Sequence, residues 1–277
     1  MSKPILIRIR RQARPGSQPY WQDFSIPYKP GYNMVSVLMA IRDNPVTTEG
    51  QRVDSPAWEY NCMEEVCGAC TMVINGTPRQ SCSALIDEIR NSETEGRPIT
   101  LEPLSKFPVV RDLMVDRSRI FEGLKQVQAW VEIDGAWDVH ERAPRISPQE
   151  WERSYLYSRC MSCGCCMEAC PQFTKVEVVR LEGESEEAFE ARRKEAFDKN
   201  FLGAHAISQA MLFNSHPTGK MIADERMEAL TDRGGIQMCG NAQNCVAVCP
   251  KSIPLTRSIA RAGRAATLWA IRRFFDR

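Results

Sequence analysis

The sequence predicts an α+β fold, with a mixed strand-and-helix domain over residues 1–106 and an all-α domain over residues 107–277. Three observations carry this prediction. Apolar residues near the N-terminus alternate with polar ones, which is typical of half-buried strands. Past Pro108 the apolar residues recur with helical spacing instead. Twelve cysteines fall into three tight clusters, one in the first predicted domain and two in the second.

The first domain is predicted to begin with a strand and its partner. Ile5, Ile7 and Ile9 mark one face of the first strand, and the second strand contains Phe24 and Ile26. A helix is predicted over Met34–Arg42, ending before Asn44-Pro45 because the residue before a proline avoids the helical region. Later strands are predicted at Ala57–Tyr60, Thr71–Ile74 and Ile99–Leu101.

The second domain is predicted to be helical throughout. Ser147 and Glu150 form a capping box with Pro148 at the first helical position, which starts a helix that runs toward Cys160. A charged stretch, Leu181–Asn200, is interpreted as a solvated surface helix. The remaining helices are predicted at Val109–Val131, Phe201–Phe213, Ile222–Thr231 and about Pro254–Phe275.

The first cysteine cluster has the spacing of a plant-type [2Fe–2S] site. It reads Cys62-x4-Cys67-x2-Cys70, and Cys82 follows after eleven intervening residues. Asn75-Gly76 is a hairpin turn signal, so the chain is expected to leave Cys70, turn, and bring Cys82 back toward it. With the predicted strands, this makes the first domain a β-grasp ferredoxin-like domain.

The other two clusters have the spacing of bacterial ferredoxins. Cys160, Cys163, Cys166 and Cys170-Pro171 form a complete run, whereas the last run has Ala242 where its second cysteine belongs. In two-cluster ferredoxins each run lends its fourth cysteine to the other cluster. This exchange predicts a [4Fe–4S] cluster on Cys160, Cys163, Cys166 and Cys249. It leaves a [3Fe–4S] cluster on Cys170, Cys239 and Cys245.

Two alternatives remain for the cysteines. Four-cysteine zinc sites use paired knuckles, but zinc does not explain a triple run followed by Cys-Pro that occurs nearly twice. Cys165 interrupts the ligand spacing and is interpreted as a small buried thiol. It is also the only candidate thiol to fill the cluster position that Ala242 leaves without a ligand.

The composition is that of an ordinary globular protein. Hydrophobic residues make up 43% of the 277 residues and the net charge is +1, which favours neither nucleic-acid binding nor disorder. No glycine-rich dinucleotide fingerprint or P-loop is present, so the chain is expected to bind neither flavin nor nucleotide itself. Cluster thiols must stay reduced to bind iron, which predicts a cytoplasmic location.

The final predicted helix is basic and amphipathic. Arginines at 257, 261, 264, 272, 273 and 277 are balanced by Asp276 alone, and Leu268, Ile271 and Phe275 are among its apolar residues. Such a helix either lies against anionic lipid or a membrane subunit, or packs on its own domain with a solvated basic edge.

The three cysteine motifs, in this order, resemble the iron–sulfur subunits of succinate:quinone oxidoreductases and quinol:fumarate reductases. The segments Phe107–Leu113 and Asn214–Gly219 also look like family segments. The resemblance implies the same three ligand sets, and it implies electron relay from a flavoprotein (FAD) subunit to quinone at a cytochrome b membrane anchor with haem. It leaves succinate oxidation as the leading interpretation, with fumarate reduction as the alternative. A soluble ferredoxin carrier and a relay subunit of another flavin-linked reductase are less favoured.

Two departures from the family pattern bear on the quinone. Gln172-Phe173 stands where some members carry a tryptophan pair, and Gly240 stands where a histidine often follows the first cysteine. These departures resemble the variants that use menaquinone with a single di-haem anchor. Pro171 and Lys251 are then the candidates for the quinone side of the chain.

Overall fold

A computed structural model describes residues 4–90, 96–131 and 145–276. It divides into two units. The first, here called the sheet unit, comprises Met1–Arg117 and Met161–Ala169, and the second, the helical unit, comprises Ser118–Cys160 and Cys170–Arg277. The sequence boundary at residue 106 stays a prediction.

The sheet unit is built on a five-stranded sheet. Its strands are β1 (Ile5–Arg11), β2 (Tyr20–Ile26), β3 (Thr71–Ile74), β4 (Thr77–Gln80) and β5 (Ile99–Glu102), in the order β2-β1-β5-β3-β4. The pairing of β1 with β5 is parallel and the other pairings are antiparallel. Ile7 pairs with Phe24 on one side and Ile99 on the other.

Helix α1 (Met34–Asp43) supplies the other layer of this core. Its buried residues include Leu38 and Ile41, which cluster with the inward-facing isoleucines of β1. The helix begins at Asn33, whose side chain accepts a hydrogen bond from the Ser36 N–H as an N-cap. A mixed sheet covered by one helix is the β-grasp arrangement, and the predicted α+β class is confirmed.

The sequence interpretation was wrong in two segments. Ala57–Tyr60 is not a strand, because the Ala57 N–H donates to the buried Asp112 carboxylate at 2.9 Å rather than to a sheet neighbour. The predicted helix over Val109–Val131 begins only at Ser118. Its first part forms the short strands β6 (Val109–Arg111) and β7 (Met114–Val115), which turn at Asp112 with φ of 49°.

The helical unit packs around α7 (Gly203–Ser215), most of which is buried. Its neighbours include α3 (Ser118–Gln126), α4 (Pro148–Ser158), α8 (Ala223–Thr231) and α10 (Leu255–Phe275). The predicted capping box at Ser147 is present at the start of α4. The remaining helices are α2 (Ile86–Ile89) and α5 (Cys165–Glu168) of the sheet unit, with α6 (Glu186–Asp198), α9 (Asn244–Ala247) and 3-10 turns at Gly219–Ile222 and Ile236–Met238 in the helical unit.

The predicted surface helix within 181–200 is present as α6, none of whose residues is fully buried. Across the described ranges, no helix combines the length and apolar character that a membrane crossing requires.

Candidate metal centres

Cys70 and Cys82 are brought together by the β3–β4 hairpin. Cys70 directly precedes β3, and Cys82 follows β4 with Ser81 between. The Ser81 N–H and hydroxyl both donate to the Cys70 carbonyl, at 3.2 and 3.0 Å. Asn75 and Gly76 have φ of 48° and 78°, which is the hairpin turn that their sequence predicts. Both thiols are buried beside Val35, and burial raises the pKa of Cys70 to about 12.

The loop before Cys70 aims its backbone N–H groups at Cys62. The N–H groups of Glu64, Val66 and Cys67 lie 3.4, 3.3 and 3.3 Å from Cys62 Sγ. These hydrogen bonds, with that from Glu64 the largest contribution, lower the pKa of Cys62 to about 7. The loop is therefore built to stabilise a thiolate, which is the form that binds iron.

Two contacts fix the shape of this loop. Gly68 has φ of 73°, and a Cβ there would lie 2.9 Å from the Cα of Cys163. The Arg117 guanidinium donates to the carbonyls of Gly68 and Ala69, at 2.6 Å each. The sequence alone does not reveal Arg117, because no spacing relates it to the cysteines.

Part of the second cysteine run, residues 161–169, belongs to the sheet unit. Glu168 anchors this segment, because its carboxylate accepts hydrogen bonds from the backbone N–H groups of Ser105 at 2.9 Å and Lys106 at 3.0 Å. Cys163 is buried, and a hydrogen bond from the Cys165 thiol lowers the pKa of Cys163 to about 7.

Cys165 is fully buried, and the Gln80 side-chain amide donates toward its sulfur at 3.5 Å. The hydrogen bond to Cys163 and burial raise the pKa of the Cys165 thiol. Cys160 and Cys249 belong to the helical unit, where the Ile253 N–H lies 3.4 Å from Cys249 Sγ. The four-cysteine set Cys160, Cys163, Cys166 and Cys249 stays a prediction of the sequence.

A cavity in the helical unit is lined by the three cysteines predicted to share one cluster. Cys170, Cys239 and Cys245 all border it, and so does Ala242. Cys245 lies on α9, and burial raises the pKa of its thiol. Pro171 also lines the cavity, whereas Lys251 is not among its lining residues in the described chain.

Gln172 and Gly240, the two departures from the family pattern, are in contact. A Cβ at position 240 would lie 2.5 Å from Nε2 of Gln172, and Oε1 of Gln172 lies 3.9 Å from Cys170 Sγ. A larger residue at position 240 would therefore displace the Gln172 amide from the cysteine cavity. Both positions depart from the family pattern in the sequence, but the sequence carries no signal that the two residues lie side by side.

In the described ranges, no group of three or more His, Cys, Asp or Glu side chains is arranged to hold a single metal ion. A cluster requires a different arrangement, because its cysteine thiolates are distributed over two or more iron atoms rather than gathered around one ion.

Known protein families match both halves of the chain. Residues 6–122 match a 2Fe-2S iron-sulfur cluster binding domain, and residues 156–253 match a 4Fe-4S dicluster domain. The two cofactor classes predicted from the cysteine spacing agree with these matches.

Curated relatives extend the match to nearly the full chain. The succinate dehydrogenase iron-sulfur subunit of Bacillus subtilis (strain 168) is 47% identical over 273 residues, covering 99% of this chain and 96% of that protein. The fumarate reductase iron-sulfur subunit of Wolinella succinogenes is 28% identical over 245 residues and covers 88% of each chain.

A solved structure supports the fold. A chain of the Mycobacterium smegmatis Sdh1 complex in the apo form matches with a TM-score of 0.72 at 20% identity, and the match covers 96% of each chain. The motif order, the sheet and helical units, and the 47% identity over almost the whole length agree. The chain belongs to the family of succinate dehydrogenase and fumarate reductase iron–sulfur subunits.

Proposed function

We propose that this chain is the electron-transferring iron–sulfur subunit of a succinate dehydrogenase that passes electrons to quinone. Clusters of this kind supply one-electron transfer when bound. In this proposal the chain holds a [2Fe–2S], a [4Fe–4S] and a [3Fe–4S] cluster. Their ligands are, respectively, Cys62, Cys67, Cys70 and Cys82; Cys160, Cys163, Cys166 and Cys249; and Cys170, Cys239 and Cys245.

The observation that carries the proposal is the cysteine-lined cavity of the helical unit. Three thiols border it, and the small methyl group of Ala242 stands at the position where a fourth ligand would come from the motif. A complete [4Fe–4S] cluster takes four cysteine ligands. Three thiols and one methyl group fit a [3Fe–4S] cluster instead.

The residues of the sheet unit fit the first cluster for a separate reason. The N–H groups directed at Cys62 Sγ stabilise negative charge on sulfur. Hydrogen bonds to the sulfurs and burial are also the means by which a protein sets a cluster potential. Arg117 and Gly68 hold the loop in the shape that keeps those N–H groups in place.

The identity of the partner subunits and of the quinone is proposed from the family resemblance. We propose a flavoprotein with FAD as electron donor, and a cytochrome b anchor with haem as the site where menaquinone is reduced. The chain would then be held peripherally on the cytoplasmic side of the membrane. Pro171, which lines the three-cysteine cavity, and Lys251 are proposed for the quinone side.

A cysteine substitution tests the relay. In the complex purified from membranes, Cys245→Ala is expected to abolish succinate-driven quinone reduction. Reduction of a soluble dye that takes electrons at the flavoprotein should persist. Ala247→Ser changes a residue of α9 that does not line the cavity, and it should leave quinone reduction within about twofold of the unaltered complex. Equal loss of quinone reduction in both variants would contradict the ligand assignment.

Fumarate reduction is the alternative direction for the same set of cofactors, and the similarity to the Wolinella succinogenes fumarate reductase subunit keeps it under consideration. The direction is tested by comparing succinate oxidation with quinol-driven fumarate reduction in the same preparation. The 47% identity to a succinate dehydrogenase subunit favours faster succinate oxidation.

A further inference from the structure

A cavity of about 290 Å³ between α4 and α10 is lined by three arginines: Arg153, Arg257 and Arg261. Within the described part of the chain, Glu152 is the one acidic side chain on its wall, and Gln149, Leu156, Tyr157 and Pro254 complete the lining. Three positive charges against one negative charge make the cavity an environment for an anion. The cavity lies wholly within the helical unit and contains none of the cysteines.

The arginines of this cavity lack protein partners among the described residues. None of the three guanidinium groups makes an ion pair or a hydrogen bond with another side chain or backbone group of residues 4–90, 96–131 and 145–276. Nη1 of Arg261 is buried without a hydrogen-bond partner in the same part of the chain. A buried donor without a partner carries a free-energy cost that a bound acceptor removes.

The same arginines begin a continuous stripe along α10. Arg257, Arg261 and Arg264 are followed on the same helix face by Leu268, Ile271 and Phe275, at alternating spacings of four and three residues. We call these six residues the α10 stripe. The buried residues of α10 are Leu255, Ser258, Ala262 and Ala266, which lie on another face of the helix.

The apolar half of the α10 stripe is exposed to solvent. Leu268, Ile271 and Phe275 are 57%, 51% and 79% exposed. Between residues 255 and 275 the helix carries five arginines and no acidic residue. A helix with arginines and exposed large apolar side chains on one face is the kind that lies in the headgroup region of an anionic membrane.

We propose that the α4–α10 cavity binds the phosphate of an anionic phospholipid and that its acyl chains lie along Leu268, Ile271 and Phe275. Arginine suits this ligand, because its planar guanidinium pairs with two phosphate oxygens at once. The basic half of the stripe ends where its apolar half begins, so headgroup and acyl contacts follow one another along α10. This lipid site goes beyond the proposed relay function and does not depend on it.

Vesicle binding by the full 277-residue chain tests the proposal. The chain is mixed with phosphatidylcholine vesicles that either contain or lack phosphatidylglycerol, and the bound fraction is measured by sedimentation. Binding is expected only with phosphatidylglycerol. Arg257→Gln is expected to weaken it about fivefold, and Arg257→Gln with Arg261→Gln more strongly. Phe275→Ser is expected to weaken vesicle binding through the apolar contact.

Arg233→Gln is the matched control, because Arg233 is an exposed arginine outside the cavity and the stripe. It removes the same charge and should leave vesicle binding within about twofold. Equal weakening by Arg233→Gln and Arg257→Gln would overturn the site, since net charge alone would then explain the attraction.

Other occupants would also overturn the lipid assignment. Inorganic phosphate is titrated calorimetrically into the same chain, and phosphate binding without any vesicle binding would assign the cavity to a free phosphate ester. Self-association that is independent of lipid and is removed by Phe275→Ser would assign the stripe to a second copy of the chain. Equal binding to both kinds of vesicle would exclude headgroup recognition.

Discussion

Among single residues, Ala242 has the largest effect on which clusters the chain can hold. This alanine lines the cavity shared by Cys170, Cys239 and Cys245, at the position where the ferredoxin motif places a cysteine. Ala242→Cys is expected to supply the missing thiolate and convert the three-iron centre into a four-iron centre. The low-temperature EPR signal of the oxidised three-iron cluster should then disappear.

Ala247→Cys serves as its control. Ala247 lies on α9 but is not among the residues that line the cavity. A thiol there should leave the three-iron signal unchanged. If the signal survives in Ala242→Cys as fully as in Ala247→Cys, position 242 is not where the three-iron cluster lacks a ligand.

Arg117 is the residue that the sequence alone did not reveal. Its guanidinium holds the carbonyls of Gly68 and Ala69, so Arg117→Gln should lower the free energy of unfolding by about 2 kcal/mol. Loss of [2Fe–2S] content, seen in the visible absorption, should accompany the change. Arg14→Gln removes an exposed arginine of the same unit and should cost less than about 0.5 kcal/mol. Similar losses of stability in both variants would show that the hydrogen bonds to the Gly68 and Ala69 carbonyls do not stabilise the loop.

At the scale of elements, the cysteine loop requires glycine at position 68 for two reasons. Its φ is positive, and a Cβ would come within 3.0 Å of both the Cys163 backbone and the Met161 carbonyl. Gly68→Ala should therefore destabilise the fold by about 3 kcal/mol, combining backbone strain with overpacking. Chemical denaturation with the clusters bound would measure this.

A substitution at Gly50 separates the cost of backbone strain from the cost of overpacking. It also has a positive φ, of 80°, but no atom lies within 4 Å of a Cβ built there. Gly50→Ala should cost only the backbone strain, about 1 kcal/mol. Equal costs at the two positions would mean that the approach of Gly68 to residues 161–163 adds nothing.

Arg226 joins elements of the helical unit that are distant in sequence. It is fully buried on α8 and donates to the carbonyls of Gln128, Trp130 and Gly219. Arg226→Met would leave these acceptors without their donor and should destabilise the unit by about 3 kcal/mol. Arg273→Gln breaks an exposed ion pair to Glu228 and should cost at most about 1 kcal/mol. Thermal unfolding of the two variants compares them directly, and equal midpoints would contradict this role.

The sequence predicted those elements whose signals are local. The alternating isoleucines of β1, the Asn75-Gly76 turn and the Ser147 capping box each specify a structure through neighbouring residues. The errors at Ala57–Tyr60 and in the first part of Val109–Val131 have one shared cause. Both segments are arranged around Asp112, a buried carboxylate that accepts from Ala57 and Arg11. A partner distant in the sequence leaves no periodic signal.

The candidate sites also contain features that local sequence signals predict and features that depend on residues distant in the sequence. Cysteine spacing predicted the three thiols that line the cavity of the helical unit and the Cys70–Cys82 hairpin. It did not predict the supports of those cysteines, which are Arg117, the anchoring Glu168 and the Gln172–Gly240 contact. A ligand motif is set by the metal cluster, whereas its supports depend on how distant segments pack.

For the whole molecule, we infer that one chain holds three different clusters. Iron and acid-labile sulfide analysis together with low-temperature EPR, on the purified full chain or its complex, distinguishes this cluster set from other metal contents. We expect separate signals from a [2Fe–2S] centre, a [4Fe–4S] centre when reduced, and a [3Fe–4S] centre when oxidised. Two complete four-iron clusters, or bound zinc with negligible sulfide, would contradict it.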